Sequence, residues 1–484
     1  MTRRAGSADA PGGGSGSWRI APAIVAGMFA LLVPAVVVGQ GQPCVLDLEA
    51  RAAAAPPRVL SIALPSGARE TYAGGGIRYS CRGQGIVLEA DSTQYNEDTR
   101  VLLLIGTVNY REPRATVTAD RMTYYQDESW LIAEGRVVAL LPSTSRLEGP
   151  YVEYFRATPN RPQTRTIARE RPYMQLVQED STGAPAPPVL VVADRIVSEG
   201  EDRVYLNGTV EITREDLRAT GDSAYLDQTR GFSRLMRNPR VVGTGERPYT
   251  LVGTEIDFFT EDEQLRRVFA KGAGEVTSED LRLESDSIDM RVVENELERA
   301  YVWGPSRARA RSAQQDVRAD SIEARLPGRV LQEVLAIGDA YAETIPDTLV
   351  LRSEQRDWLR GDTIVARFDP PAPDDTTGNP VARELVATVD AQSFYQLRAT
   401  GECIDRPAIN YVRGRVVSIL LANGEVATVS VEDEDQVSGV YLEPQPDAAC
   451  LARVSEERGE PRPAATPPPR TPPATVPPPP PGAR

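Results

Sequence analysis

A small residue, an Asp and then alternating apolar positions recur along this chain, and that repeat constrains its fold more than any other feature. The copies are ADSTQY from Ala90, ADRMTY from Ala119, ADRIVS from Ala193, GDSAYL from Gly221, SDSIDM from Ser285, ADSIEA from Ala319 and GDTIVA from Gly361. A degenerate copy, GTEIDF, starts at Gly253 and carries Thr254 where the others carry Asp. A second signal, an apolar run meeting Gly and another short strand, follows 14 to 18 residues later, as in LLLIGTVNY ending at Tyr110 or VYLNGTVEI ending at Ile212. Polar turn residues such as Asn96 to Thr99 lie between the two signals, so each repeat reads as strand, turn, strand. Tandem units of this size cannot bury an apolar face alone and are expected to stack on their neighbours.

Side-chain parity inside a copy adds a constraint. Apolar residues stand two and often four positions after the Asp, as in Met122 and Tyr124, Ile256 and Phe258, or Ile288 and Met290. Before it they stand three positions back, as in Leu88, Val117, Val191, Leu251, Leu283 and Val317. A regular strand alternates faces with period two, so the two sets would point opposite ways. A bulge or corner at the small-Asp step resolves the conflict, because a small residue tolerates a sharp bend. The corner positions are Asp91, Asp120, Asp194, Asp222, Asp286, Asp320 and Asp362. Each is read as a corner residue hydrogen-bonding its own backbone rather than as a catalytic acid.

Composition narrows the function. Histidine is absent, which removes the commonest general base and metal ligand, and neither catalysis, a metal nor a cofactor is expected. Asp286 and Asp289 could serve a polysaccharide-active enzyme, but their odd spacing on a strand points them to opposite faces. A formal charge of −15 argues against nucleic acid, whose phosphates require a basic face. The cations are almost all Arg, with Lys271 as the single Lys.

Arg3 and Arg4 precede a Gly-rich stretch and an apolar segment from Ile20 to Gly39, the pattern of a signal sequence for export. The same segment is long enough to remain as an inner-membrane anchor, although Pro22 and Pro34 weaken a continuous helix. Gly41, Gln42 and Pro43 before Cys44 do not form a lipobox. In an oxidising compartment the four cysteines suggest disulfides Cys44 to Cys81 and Cys403 to Cys450, with other pairings or free thiols as alternatives.

The cadence of ADSTQYNEDTRVLLLIGTVNY and ADRMTYYQDESWLIAEGRVVAL resembles the OstA-like family of lipopolysaccharide-transport proteins. That family includes the periplasmic bridge protein LptA, its membrane-anchored partner LptC and the N-terminal domain of the translocon LptD. The resemblance covers roughly residues 86–397. It implies an all-β, tandem-repeat β-jellyroll, a curled open sheet pair, in the periplasm of a Gram-negative-type envelope. It further implies lipopolysaccharide or another glycolipid as ligand, held by its acyl chains, and other Lpt-type proteins as partners through edge-strand pairing. The chain lacks the long array of amphipathic strands that an outer-membrane barrel requires, so it is not expected to be the translocon. A non-catalytic structural rod is the competing reading.

On this reading the groove is lined by Tyr95, Met122, Tyr124, Ile196, Ile256, Phe258, Ile288, Met290, Ile322 and Ile364, with an ordinary filled core as the alternative. Their neighbours Asp257, Asp289 and Glu323 are expected to face water. The expected organisation is a signal or anchor at 1–40, a lead-in at 41–85 and a first repeat module at 86–177. An inserted loop at 178–188 precedes a second module at 189–398, a C-terminal β segment at 399–453 and a disordered Pro-rich tail at 454–484. The internal match of RPYMQLV at Arg171 with RPYTLVG at Arg247 supports the duplication. Asn423-Gly424 is read as a hairpin turn, and the acidic run from Glu432 to Asp435 as a solvated loop.

Overall fold

The computed structural model describes residues 44–458 except 52–55, 82, 142–144, 178–186, 216, 245–247, 263, 279–280, 295, 313–314, 346–352, 371–379, 398–402, 423–424 and 434–436. The apolar segment from Ile20 to Gly39, most of the inserted loop, the Asn423-Gly424 turn and residues 459–484 of the Pro-rich tail lie outside them. Among the described residues, no helix is long and apolar enough to cross a membrane.

Among the described residues, twenty-eight strands hydrogen-bond into one antiparallel sheet, ordered almost throughout as the chain runs. Ile86–Asn96, Val101–Glu112, Ala115–Tyr125 and Trp130–Leu140 follow one another through tight turns, the strand-turn-strand unit expected of each repeat. Between residues 86 and 397 the only described helical element is the short 3-10 turn Pro327–Arg329. The lead-in already belongs to the sheet, because Leu46–Ala50 and Arg58–Ala63 pair with the two halves of Arg69–Cys81. At the inserted loop the sheet does not break, since Leu176 pairs with Val189 across it.

Nearly every long strand changes register in its middle, at the predicted corner. Ladder shifts fall between Glu89 and Ser92, Thr118 and Arg121, Glu284 and Ser287, Arg318 and Ser321, and Arg360 and Thr363, each spanning a small-Asp step. The bulge reverses side-chain parity, so apolar residues on both sides of it reach one shared core. The sheet is thereby folded along a line of corners into two facing halves. One half carries the segments before each Asp, and the other carries those after it.

Two disulfides fasten the ends, Cys44 to Cys81 with Cα atoms 5.3 Å apart and Cys403 to Cys450 at 5.2 Å. Closing loops of 37 and 47 residues restricts the unfolded chain by about 4 kcal/mol each on a loop-entropy account. The second bridge holds a helix, Ala448–Arg458, across the point where a β segment to 453 and a disordered tail from 454 were expected. Its sequence AACLARVSEER is rich in helix formers, and the Asp447 carboxylate caps it by accepting from the backbone N–H of Ala449 at 2.8 Å.

Candidate functional site

The corner is a two-strand device. Asp91 accepts the backbone N–H of Thr107 at 2.9 Å, Asp120 that of Arg136 at 3.1 Å, and Asp286 that of Ser306 at 2.5 Å. The expectation that these carboxylates bond their own backbone is therefore corrected, because the acceptor serves the next strand. Opposite them stand Gly106, Gly135, Gly208 and Gly338 with φ of +93°, +96°, +76° and +85°. A Cβ at any of these four would fall 2.3 to 2.5 Å from the carboxylate of Asp91, Asp120, Asp194 or Asp320. Gly is required there for both reasons. Asp222 instead meets Asn238 at 3.0 Å, and Asp362 stands opposite the positive-φ pair Val389 and Asp390.

The half-sheet after the corner builds two inner rows. The first passes strand by strand through Leu104, Met122, Ala133, Val152, Ala168 and Ile196. It continues through Leu206, Ala224, Leu235, Ile256, Ala270, Ile288, Val302, Ile322, Ala336, Ile364, Ala387 and Val417. Ala recurs between the larger side chains, so Ile256 and Ile288 lie two strands apart with Ala270 between them. The second row, nearer the open side, begins Tyr95, Leu102, Tyr124, Leu131, Tyr154 and ends Phe258, Val268, Met290, Ala300, Ala324, Val334, Ala366, Leu385.

All ten residues named as lining lie on these two rows. Met122, Tyr124, Ile196, Ile256, Ile288, Met290, Ile322 and Ile364 are buried, while Tyr95 and Phe258 are half-buried against the same core. Ile288 leaves little space, because a Cβ on Gly274 would come within 2.9 Å of it.

Asp257, Asp289 and Glu323 do project from the opposite face, but the expectation that they face water is corrected. Asp257 is only 2% exposed and Glu323 7%. Arg234 and Lys271 each reach Asp257 at 2.7 Å, Arg267 binds Asp289 through two nitrogens at 2.7 and 2.9 Å, and Arg299 and Arg325 hold Glu323. The guanidinium of Arg267 also lies over the rings of Phe259 and Phe269. Long Arg side chains thus roof the carboxylates with their stems while their charges stay wet.

Asp316 belongs to the same layer on the other half-sheet. Burial pushes its carboxyl up, but hydrogen bonds from Arg309 and Arg318 outweigh burial and hold it at about 2. A depressed folded value stabilises above the ordinary carboxylate value of 3.8, and that contribution disappears as pH falls through about 2. Thermal unfolding of wild type and Asp316→Asn should therefore differ by at most about 2 kcal/mol near neutrality and converge as pH drops from about 4 to about 2.

One cluster escaped the sequence reading. Tyr110 and Glu112 come from the half before the corner, and Tyr124, Tyr154 and Arg156 from the half after it. Glu112 receives Arg156 Nε at 2.6 Å, the Tyr110 hydroxyl at 3.2 Å and the Tyr154 hydroxyl, while Arg156 also donates to Gln84 at 2.8 Å. Burial pushes both phenols up, and the Glu112 charge pushes them further, so both remain neutral donors. Among the described residues, the buried Tyr124 hydroxyl has no hydrogen-bond partner. Tyr spaced 14 and 30 residues apart carries no repeat signal, so only strand register brings these rings together.

Residues 87–264 match the family described as LptA/(LptD N-terminal domain) LPS transport protein. No curated protein matches the chain.

Proposed function

We propose, from the premise that residues 87–264 carry an OstA-like domain of the LptA and LptD N-terminal kind, that this protein handles lipopolysaccharide or a similar glycolipid during outer-membrane assembly. It works in the periplasm, exported and held free or by an inner-membrane anchor, and it performs no catalysis. The observation that carries this reading is the first inner row, apolar at every strand from Leu104 to Val417, which offers acyl chains one continuous apolar path between the two half-sheets, while the second row is interrupted by Thr166, Ser198 and Ser233. Repeat modules at 86–177 and 189–398 would form a single conduit.

Among the described residues, no strand pairs with the outer edge of Arg58–Ala63 or of Ser438–Leu442. Val59, Leu60 and Ile62 are exposed on the first edge, and Val440, Tyr441 and Leu442 on the last. Unpaired edges with exposed apolar side chains suit strand addition from neighbouring Lpt-type proteins. The competing rod-like scaffold is favoured by the filled state of the interior, where Ile256 and Ile288 are fully buried.

Phe258 and Phe259 decide between them, because they are adjacent residues on opposite faces. A photoreactive phenylalanine at Phe258 should yield a glycolipid adduct in cells, identified by mass, and the same residue at Phe259 should not. Equal or absent adducts at the two positions would favour the scaffold.

A further inference from the structure

The two ends of the interior differ at the open side, and the difference bears on where a lipid can enter. In the N-terminal repeats the facing half-sheets are tied together by polar groups. Glu112 and Arg156, with side chains only 9% and 18% exposed, meet across the gap. Tyr110 packs against Tyr124 and Tyr154, with ring centroids 6.4 and 6.2 Å apart. The Gln126 side chain, from the same margin, donates to the Cys44 carbonyl beside the first disulfide. In the C-terminal repeats the row matching Gln126 and Arg156 holds Leu265, Val292, Leu297 and Phe368, with Phe258 and Met290 one row further in.

We propose that the Glu112–Arg156 clasp seals the interior of the N-terminal repeats, so that acyl chains enter laterally only where the margin is apolar, between about residues 255 and 335, short of the buried Asp357 that Gln396 holds. Resting on the glycolipid reading above, this adds the place of entry. The physical reason is a contrast in cost. Separating the half-sheets near Phe258 or Met290 exposes apolar surface that an acyl chain covers again at once. Separating them at Glu112 strips a buried carboxylate of two donors, Arg156 and Tyr154, and an acyl chain replaces neither.

The test uses the full chain with purified lipopolysaccharide and, separately, vesicles of a diacyl phospholipid. A diazirine amino acid is placed at Leu131, an inner position between Tyr124 and Tyr154, or at Phe258. Wild type should give adducts at Phe258 and less than a tenth as many at Leu131. Glu112→Gln should raise amide exchange of Tyr110 and Tyr154 at least tenfold while the strands around Ile288 keep theirs. The double variant Glu112→Met with Arg156→Met removes both charges without stranding either, and it should bring adducts at Leu131 to the Phe258 level.

Wild-type adducts equal at the two positions would overturn the proposal, as would variants that change neither exchange nor adducts. Exchange that rises as expected, without adducts at either position from either lipid, would uphold the clasp and overturn the glycolipid reading instead. Adducts from phospholipid alone would uphold the entry site and change the lipid class.

Discussion

Gly135→Ala should destabilise the protein by about 3 kcal/mol or more, whereas Gly75→Ala should cost only about 1 to 2. Both glycines have nearly the same backbone, φ of +96° and +98°, so both substitutions carry the strain of placing an L side chain there. A Cβ at Gly75 meets nothing within 4 Å, but at Gly135 it falls 2.5 Å from Asp120 Oδ2 and 2.7 Å from Asp120 Cβ. Relief of that overlap pushes Asp120 off the N–H of Arg136 and distorts the fold line of the sheet. Asp120→Ala in the Gly135→Ala background should then recover part of the loss, a coupling readable in a double-mutant cycle. Stacked repeats open piecemeal, so amide exchange of neighbouring strands measures the change better than one global midpoint. Equal costs at the two glycines would show that backbone strain alone sets the requirement.

The second large effect lies in the interior. Ile288 has no exposure and sits between Ala270 and Val302 in the first inner row. Ile288→Ala should cost about 2 to 5 kcal/mol through lost burial and a residual cavity. Ile288→Asp should cost several kcal/mol more if the carboxylate stays charged, because no cation lines that row to receive it. The damage should stay local, with the strands from Gln264–Ser278 to Gln315–Arg325 losing exchange protection while Ile86–Asn96 through Arg146–Phe155 keep theirs. A variant that still folds by circular dichroism should lose lipid adducts at Phe258. A folded Ile288→Asp protein that forms adducts at the wild-type level would show that the interior there is only a core.

The sequence by itself determined the strand-turn-strand repeat, the corner at each small-Asp step and the faces of the apolar residues. All three are local: a period of two, a turn signature and a parity switch can be read within a dozen residues. It also pointed to both disulfide pairs. Tertiary structure alone decided what lies opposite each element. The partner of Asp91 is the N–H of Thr107, sixteen residues on, because antiparallel register, and not the turn, brings the Gly of the next strand to the corner. The carboxylates of Asp257 and Glu323 looked like surface residues, and they are buried because Arg from neighbouring strands arrives over them. The clasp of Glu112 and Arg156 lies furthest from any sequence signal, 44 residues apart and on different half-sheets. Two charges come together inside a protein only when the fold supplies the partner that offsets their desolvation, and here folding the sheet along its corner line supplies it.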